Sequence, residues 1–530
     1  MLQPRRPFRS SFWLKFGLDL GLVAVADVLL FLHVPGSSLG LLALSVVAAL
    51  LVARRDIFRD RRARIAVIAS LAFGLVLIDR PGLLALVLFA LAGGIAILSA
   101  RVRSGESAWN WSQRLIVHTA VALVGPLLDL IRLGRLKRRR GRRSTLALLG
   151  LLIMPVIGGG IFLALFSAAN PLISDALARL ALPPLSVETI LRGLFWLMVA
   201  TTTWGVLRPR WKRPLVPLPT RATGRPSPAL TTSITWSLIV FNAVFALQNG
   251  LDLAFLWSGA PLPGDMGLAE YAHRGAYPLI VTTLLAGLFV LVALQPGSDT
   301  ARRPVVRGLV VVWIAQNMLL VASSLLRTAD YIEAYALTRF RIAAMIWMVL
   351  VGIGLLLICW RMLADRSAHW LINANVAVTL GVLAIVSAVD LGAIAAGWNV
   401  RHAREVGGRG VDLDLGYLHD LGEPALISLV ELEQAPHTPA DLRDRAAAVR
   451  RQIVTDIAWQ QNDWHSWRWR TARRLERIQV LSRDRPLTVP LPGERDRAGR
   501  LKPPPPPPAP PVTLPRPEPA NAPLTSPAGA

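Results

Sequence analysis

The sequence predicts an all-α, polytopic transmembrane helical bundle, and three observations lead to this fold class. Hydrophobic residues make up 53% of the 530 residues, and the mean hydropathy of +0.47 is well above that of a soluble globular chain. Apolar runs of roughly 20 residues, long enough to cross the hydrocarbon core as helices, recur from Phe16 to Trp398. The runs are continuously apolar instead of alternating, which excludes a transmembrane β-barrel.

About eleven spans fit these runs, because backbone polar groups in lipid must be satisfied within a helix. The spans are predicted at 16–34, 39–53, 65–78, 82–100, 146–166, 191–207, 229–248, 278–294, 308–326, 342–360 and 370–398. The segments that this layout places inside hold 32 Lys and Arg residues, whereas the outer loops before the C-terminal tail hold 7. The positive-inside rule therefore predicts a cytoplasmic N-terminus and an extracytoplasmic C-terminus.

The N-terminal region, residues 1–144, is predicted to combine the first four spans with one helix on the inner membrane surface. The first span carries Asp19 and Asp27. Asp19 lies one helical turn from Lys15, which favours an ion pair near the interface. Asp27 lies deeper, so we expect a neighbouring helix or a polar cavity to bury it, and it is a candidate intramembrane carboxylate.

The surface helix is predicted at Leu115–Ile131, an apolar stretch with strongly basic sequence on both sides. A crossing here would place one basic cluster outside, against the positive-inside rule. An amphipathic helix that lies on the inner face avoids this conflict. The basic run from Arg132 to Arg143 is then expected to bind anionic lipid headgroups.

Residues 145–398 form the predicted core transmembrane domain, for which the lipid bilayer is the main expected partner. Pro155 and three consecutive glycines from Gly158 interrupt its first span. They favour close helix packing, and a broken helix that lines a substrate site is the alternative. The last span contains Asp390, and a lone carboxylate inside the membrane is a functional candidate by default.

Two polar outer loops of this domain hold the candidate site residues. The loop 327–341 separates two spans, and on a helix Tyr331, Tyr335 and Arg339 would share one face. We expect a shallow site where carboxylates and an imidazole do acid–base work and arginines hold a phosphate or carboxylate. Mutual ion pairing near helix ends is the alternative role. The six residues are His273, Arg274, Asp330, Glu333, Arg339 and Arg341.

The tail after Trp398 is predicted to have two extracytoplasmic parts. Residues 399–485 form a small helical segment, in which Thr438 and Pro439 begin a helix that runs to about Trp459. A second helix follows from Asp463, and its tryptophans are expected to pack on the membrane surface. Residues 486–530 are Pro-rich and are predicted to be a disordered, extended tail.

Charge and cysteine content narrow the function classes. The net charge is +25, but 54 of the 58 basic residues are arginine and they cluster at helix ends, so nucleic acid is not an expected partner. Cys359 is the only cysteine, and no GxxxxGK[ST], HExxH or paired CxxC occurs. The sequence therefore predicts no cofactor and no metal site. The GxSxG match centred on Ser38 lies in a turn between two spans, which is the wrong setting for a nucleophile.

Four segments together resemble a known family. They are FNAVFALQNGLDLAFLW, AEYAHRGAYPLIV, DYIEAYALTRFRI and LDLGYLHDLGEPAL, and the similarity extends from Leu146 to Val430. The chain resembles an uncharacterised family of bacterial integral membrane proteins, a domain of unknown function with the number four-one-seven-three. The resemblance implies a multi-pass protein of the bacterial cytoplasmic (inner) membrane and implies no activity.

Three functions are compatible with these features. The first, which we favour, is a non-enzymatic envelope protein whose C-terminal segment binds a protein partner. The second is a secondary transporter that uses Asp27, Asp390 or the interrupted fifth span. The third is a membrane transferase with an outer-face site, against which the first outer loop, 35–38, is very short. A sealed bundle with a docked tail favours the first function, and a cavity that reaches Asp390 favours the second.

Overall fold

The computed structural model describes residues 12–99, 106–126, 129, 145–170, 172–173, 175, 186–209, 216, 228–258, 281, 285, 289 and 303–503. The regular elements of these residues are helices, apart from one isolated antiparallel bridge between Arg495 and Leu501. The predicted all-α class is therefore confirmed for the described chain.

Sixteen α-helices of the described chain are numbered here in chain order. They are α1 (Phe12–Leu30), α2 (Ser38–Ala53), α3 (Arg61–Asp79), α4 (Leu83–Ser99), α5 (Ala108–Leu123), α6 (Thr145–Ala169), α7 (Val187–Leu207), α8 (Pro228–Asp252), α9 (Pro304–Tyr335), α10 (Arg339–Leu363), α11 (Ala368–Ala388), α12 (Leu391–His402), α13 (Leu415–Leu421), α14 (Leu426–Gln434), α15 (Ala440–Asn462) and α16 (Trp469–Asp484).

Five helices of the described chain are long and apolar enough to cross a membrane. They are α7, α8 with its π-helical extension to Trp257, α9, α10 and α11. The helices α2 and α4 are apolar but shorter. The chain is thus compatible with a helical membrane protein, whereas the count of about eleven spans and their orientation stay predictions.

Small residues let α2 and α3 pack closely as a hairpin. A Cβ added to Gly40 would lie 2.5 Å from Ile78, and one added to Gly74 would lie 2.7 Å from the Leu44 side chain. The glycines of α6 have no such role, because a Cβ on Gly158, Gly159 or Gly160 would meet nothing within 4 Å in the described chain. The close packing predicted there is therefore not found, and α6 continues as a helix through Pro155.

The helix α5 has both of its ends at the same end of the bundle. The backbone N–H of Ala108 donates to Asn373 Oδ1 at 2.6 Å, in the first turns of α11. Ala122 packs against Gly205, and Asp129 accepts from Trp204 Nε1 at 3.1 Å, in the last turns of α7. The helix covers Ala108–Leu123 instead of the predicted Leu115–Ile131, and its place on the membrane surface stays a prediction. The residues 132–143, expected to bind lipid headgroups, lie outside the described chain.

The loop predicted at 327–341 is largely helical, which corrects the sequence prediction. The helix α9 continues to Tyr335 and ends at Ala336, whose φ is +64°. The helix α10 begins at Arg339, and the Thr338 side chain caps it by accepting from the Arg341 N–H. Tyr331 and Tyr335 therefore share a helix, but Arg339 belongs to the next one.

The last predicted span, 370–398, is also two helices. The helix α11 ends at Ala388, Val389 is extended, and Asp390 begins α12 by accepting from the N–H groups of Gly392 and Ala393 at 3.0 and 3.2 Å. Ala396 and Val400 of α12 are buried in the core of the C-terminal domain. Asp390 thus lies beyond the end of the α11 span, instead of inside a continuous membrane helix.

Residues 391–503 form one C-terminal domain around an apolar core. The core comes from α12 to α16, with Leu418, Leu429 and Val449 among its fully buried members. The second tail helix begins at Trp469, later than predicted, because 463–468 form a turn that contacts the membrane bundle. The hydroxyl of Thr438 donates to Leu432 O at 2.8 Å, so it does not cap α15 as predicted.

The ordered chain continues beyond the predicted boundary at residue 485. The residues 486–503, called here the C-terminal extension, pack on α15. Leu491 N–H donates to Asp444 Oδ1 at 2.7 Å, and Arg495 makes an ion pair with Asp444 at 2.8 Å. The disorder predicted for 486–503 is therefore wrong, and 504–530 lie outside the described residues.

Candidate functional site

An interface between the C-terminal domain and the helical bundle is the densest polar feature of the described chain. The first turn and a half of α16 reads WRTARR, which places Arg470, Arg473 and Arg474 along one side of the helix. These arginines face carboxylates from three separate parts of the chain. We call this set the docking interface, and it comprises Asp79, Arg80, Asp390, Glu423, Arg470, Arg473 and Arg474.

One half of the docking interface is centred on Asp79, at the end of α3. Arg470 Nε donates to Asp79 Oδ2 at 2.8 Å, and its Nη2 donates to the same carboxylate. Arg470 Nη2 also donates to the last carbonyl of α11, Ala388 O, at 2.8 Å. Arg473 Nη2 lies 3.3 Å from Asp79 Oδ1. One carboxylate of the bundle thus holds two guanidinium groups of the C-terminal domain.

The other half is centred on Asp390, and its ions are buried. Arg474 Nη2 lies 2.5 Å from Asp390 Oδ2, and Arg474 Nη1 lies 2.5 Å from Glu423 Oε1. The side chains of Arg474 and Asp390 are only 10% and 9% exposed. Arg80 and Arg470 approach the same carboxylate at 3.8 Å. Asp390 therefore caps α12 and binds arginines at the same time.

Charge pairing dominates the ionisation of this centre. Burial alone would raise the pKa of Asp390, but the hydrogen bond and charge of Arg474, with the charge of Arg80, hold it below its ordinary value. Burial likewise opposes the charged form of Arg474, whereas Glu423 and Asp390 raise its pKa above the ordinary value. Both groups are ionised at neutral pH, and the interface is an ion pair and not a shared proton.

Backbone contacts complete the interface at the turn between α1 and α2. The N–H groups of Gly36 and Ser37 donate to His465 O and Trp467 O at 3.0 and 2.7 Å. The hydroxyl of Ser38 donates to His465 O at 2.8 Å. A Cβ on Gly36 would lie 2.4 Å from Ser466 C, so only glycine fits this approach.

The turn between α9 and α10 supplies a third contact with the C-terminal domain. Asn399 pairs with the backbone of Leu337, accepting from its N–H at 2.7 Å and donating to its carbonyl at 2.9 Å. Arg339 N–H donates to the Tyr417 hydroxyl at 3.0 Å. Burial raises the pKa of Tyr417, which keeps this phenol neutral.

These contacts bring together four segments of the bundle. They are the turns at 36–38, 79–80, 336–339 and 388–390. The first three were predicted as outer loops, whereas 388–390 was predicted inside the last span, 370–398. Their common contact with the C-terminal domain places the four turns together, while the side of the membrane that they face stays a prediction. The docked domain is one part of the arrangement that the sequence linked to partner binding.

Of the six residues of the predicted outer-face site, the structure describes Asp330, Glu333, Arg339 and Arg341. His273 and Arg274 lie outside the described residues. Arg339 is exposed at the start of α10, and Arg341 Nη1 donates to Tyr335 O at 2.6 Å while its guanidinium lies 4.3 Å from the Tyr331 ring centroid. No ion pair joins either arginine to Asp330 or Glu333 within the described chain.

Glu333 lines a small pocket between α9 and the C-terminal domain. Its other walls include His402, Asp412 and Asp414. The cavity volume is about 10 Å³, which is room for about one water molecule. Sites for small molecules are typically hundreds of Å³, so this pocket offers no room for an organic substrate.

The other candidate carboxylate, Asp27, has partners on α7. Arg192 Nη2 lies 2.5 Å from Asp27 Oδ2, and Trp196 Nε1 donates to Asp27 Oδ1 at 2.8 Å. Asp19 accepts from the Thr203 hydroxyl of the same helix at 2.6 Å. These two carboxylates therefore fasten α1 to α7, and burial against a neighbouring helix is the outcome that was expected for Asp27.

A buried ion pair between α8 and α9 was missed by the sequence prediction. Arg327 Nη2 pairs with Asp252 Oδ1, and the two side chains are 8% and 1% exposed. Gln248 donates to the same carboxylate oxygen at 3.0 Å. Asp252 lies in the apolar segment QNGLDLAFLW, where its acidic side chain beside a predicted polar loop was the available signal.

The docking interface itself was also missed. The sequence prediction placed the tryptophans of the second tail helix on the membrane surface and assigned no partner to its arginines, and it placed Asp79 in a short outer turn. The available signal was compositional, because a helix with four arginines in WRTARRLER needs acidic partners when it is packed. The sequence did not show which carboxylates are the partners of these arginines, since Arg470 and Asp79 are 391 residues apart.

Comparison with known proteins gives one match. The family model described as Domain of unknown function (DUF4153) matches residues 65–432, which is most of the bundle and the first part of the C-terminal domain. No curated protein and no solved structure matches the chain.

Proposed function

The chain belongs to the DUF4153 family of unknown function, and from this premise we propose that it is a non-enzymatic membrane protein whose docked C-terminal domain binds a protein partner in the envelope. The resemblance was thus correct in its class, an uncharacterised domain family, but the family number is four-one-five-three. The proposal places the protein in the bacterial cytoplasmic (inner) membrane, with the N-terminus inside and the C-terminal domain outside.

The observation that carries the proposal is the docking interface. A domain with its own apolar core lies across four turns of the bundle, and buried ion pairs hold it there. Buried ion pairs of this kind specify an arrangement more than they stabilise it. A fixed orientation of an exported domain is what a binding platform requires, whereas a transport pathway at Asp390 would need that carboxylate to be released from Arg474.

The C-terminal extension offers the surface for a partner. Val489, Leu491 and Leu501 expose 81, 61 and 50% of their surface there. They lie on the segment that packs on α15. Exposed apolar side chains beside a polar rim are typical of protein-binding surfaces.

Photo-crosslinking in cells tests the proposal. A photoreactive amino acid at Val489 is expected to form one discrete protein adduct, because the proposed surface is in contact with a partner. The matched control is the same amino acid at Trp347, whose side chain is exposed on the apolar α10, where only lipid contact is expected. Adducts at neither position, or equal adduct patterns at both, would contradict partner binding.

Charge reversal distinguishes docking from transport. In a deletion strain, Arg474→Glu is expected to abolish complementation and the Val489 adduct together, because the domain loses its orientation. Asp390→Asn removes a partner of Arg474 and is expected to reduce both complementation and the adduct, whereas loss of complementation with the adduct intact would favour transport through Asp390. Exposed Arg483→Glu, at the far end of α16, is the control for charge alone.

A further inference from the structure

Two histidines and an aspartate meet where the C-terminal domain touches the turn after α1, apart from the ion pairs of the docking interface. His33 follows α1, whereas Asp463 and His465 belong to the turn before α16. One ligand atom of each residue lies within 4.8 Å of the other two. The two imidazole rings stack with their centroids 3.5 Å apart and their planes 4° from parallel.

Both rings turn the same nitrogen toward the carboxylate. His465 Nδ1 lies 2.7 Å from Asp463 Oδ1, and His33 Nδ1 lies 3.9 Å from Asp463 Oδ2. The backbone holds this arrangement, because Asp463 Oδ1 also accepts from His465 N–H at 3.1 Å. Leu32 has φ of +58°, an uncommon conformation for a bulky residue, and it directs the chain into His33.

We propose that His33, Asp463 and His465 bind a divalent transition-metal ion of the zinc class. Two imidazoles and one carboxylate are a preferred donor set for such ions. Metal–ligand bonds of about 2.0–2.2 Å place the donors of a tetrahedral site roughly 3.4 Å apart. His33 Nδ1 would therefore move about 0.5 Å toward Asp463, His465 Nδ1 would move about 0.7 Å away from it, and the parallel rings would tilt so that both nitrogens point at one ion. The fourth position opens to solvent, since His33 and Asp463 are 38 and 40% exposed.

Two added protons are the alternative to a metal ion at this cluster. Two imidazolium ions at this separation would repel each other beside a single carboxylate. A divalent ion at the shared Nδ1 edge concentrates the positive charge between three donors. The sequence predicted no metal site because His33 and His465 are far apart in the chain and form no local spacing motif.

Such an ion would join the first helical hairpin to the C-terminal domain. Its ligands come from both sides of the backbone contact between Gly36 and His465. Because metal that binds only the docked arrangement stabilises it by mass action, the bound ion would make docking tighter. The site does not depend on any partner of the domain.

Direct metal binding tests the proposal. The full-length chain is purified in detergent through a tag without histidine, stripped with a chelator and titrated with Co²⁺, whose absorption reports coordination. We expect one saturable site per chain, with Zn²⁺ displacing Co²⁺. Loss of an outer-shell partner alone weakens metal binding about 10- to 100-fold, so His33→Gln and His465→Gln are each expected to weaken it by at least about tenfold.

The control is His437→Gln, because His437 is exposed in the same domain and lies outside this cluster. Elution volume on a sizing column checks that each variant is folded. Equal Co²⁺ affinity in the wild-type chain and both ligand variants would overturn the metal site, and so would the absence of saturable binding. Either result leaves the Val489 adduct untouched, so the two proposals fail separately.

Discussion

At the scale of single residues, Asp390 shows how one carboxylate can serve two elements. It begins α12 by accepting from two backbone N–H groups, and its other oxygen binds Arg474. The sequence marked Asp390 as a candidate intramembrane carboxylate, whereas the structure places it at the start of α12, beyond the end of α11. Its partners could not be predicted, since they lie on a helix whose contacts depend on the whole fold.

Asp390→Asn is expected to destabilise docking strongly, because it leaves the buried Arg474 with a weakened set of partners. Breaking a buried pair costs about 3–5 kcal/mol. Protease sensitivity of the C-terminal domain and thermal unfolding of the full chain in detergent measure the effect. The control, Asp365→Asn, removes a carboxylate that is 70% exposed and 3.9 Å from Arg307, and little change is expected there. Equal effects of the two changes would contradict this account.

The pH dependence of docking follows from the same residue. Because docking lowers the pKa of Asp390, its ionised form stabilises the docked state above the ordinary value of about 3.9. The contribution is lost as the pH falls through the lowered pKa. Protease protection is therefore expected to be constant from about pH 8 to 5 and to decrease only below about pH 4. A loss of protection near neutral pH would exclude Asp390 as its cause.

At the scale of elements, helix type was predictable and helix ends were not. Long apolar runs identified α7 to α11 as helices that could cross a membrane, because this property depends only on the length and hydrophobicity of the run. The break at Val389 and the continuation of α9 to Tyr335 depend on contacts that come from elsewhere in the chain, such as Asn399 with Leu337. Local helix propensity contains no information about these partners. The predicted boundaries were therefore wrong at the helix ends that such contacts determine.

Gly36→Ala is expected to weaken docking without any change of charge. The added Cβ would lie 2.4 Å from backbone atoms of the 463–468 turn, which cannot move like a flexible side chain. Overpacking of this kind costs about 1–3 kcal/mol. The same protease assay measures it, with Gly21→Ala in α1 as the control, since that Cβ meets nothing within 4 Å. Full protection from protease in Gly36→Ala would show that the close approach of Gly36 to the 463–468 turn does not require glycine.

Removing one ion of the Asp252–Arg327 pair is expected to destabilise the fold more than removing both ions together. Arg327→Leu leaves the carboxylate of Asp252 buried, with Gln248 as a remaining hydrogen-bond donor at 3.0 Å. The double change Asp252→Leu with Arg327→Leu removes both charges, and such replacements are often neutral. We expect less folded protein on a sizing column for the single variant than for the double one. The reverse order would contradict the pairing.

At the scale of the whole molecule, the orientation expected from arginine placement stays a prediction, and the position of the docked domain was not predicted. Of the four turns that contact the C-terminal domain, 36–38, 79–80 and 336–339 were predicted as outer loops, whereas 388–390 was predicted inside the last span. The position of the domain depends on charge pairs between residues that are far apart in the chain. Composition does not show which carboxylate pairs with which arginine. The outer-face site predicted around Glu333 stays a prediction, since His273 and Arg274 lie outside the described residues.

Labelling of single cysteines tests the orientation. In a Cys359→Ser background, a cysteine at Arg497, which is 79% exposed in the C-terminal extension, is expected to react with a membrane-impermeant maleimide in intact cells. A cysteine at exposed Arg59, between α2 and α3, is expected to react only after lysis. Labelling in the opposite order would reverse the topology and place the docked domain in the cytosol.

The distance in sequence between the arginines of α16 and their carboxylates has a consequence for biosynthesis. Asp79 is synthesised 391 residues before Arg470. Its carboxylate therefore has no arginine partner from α16 until the last helices have been made. A chain that stops early exposes bare acidic turns and lacks the last-made helix that covers them. The acidic turns are therefore covered only in chains that have been translated as far as α16. A protease that recognises uncovered turns would remove only unfinished chains.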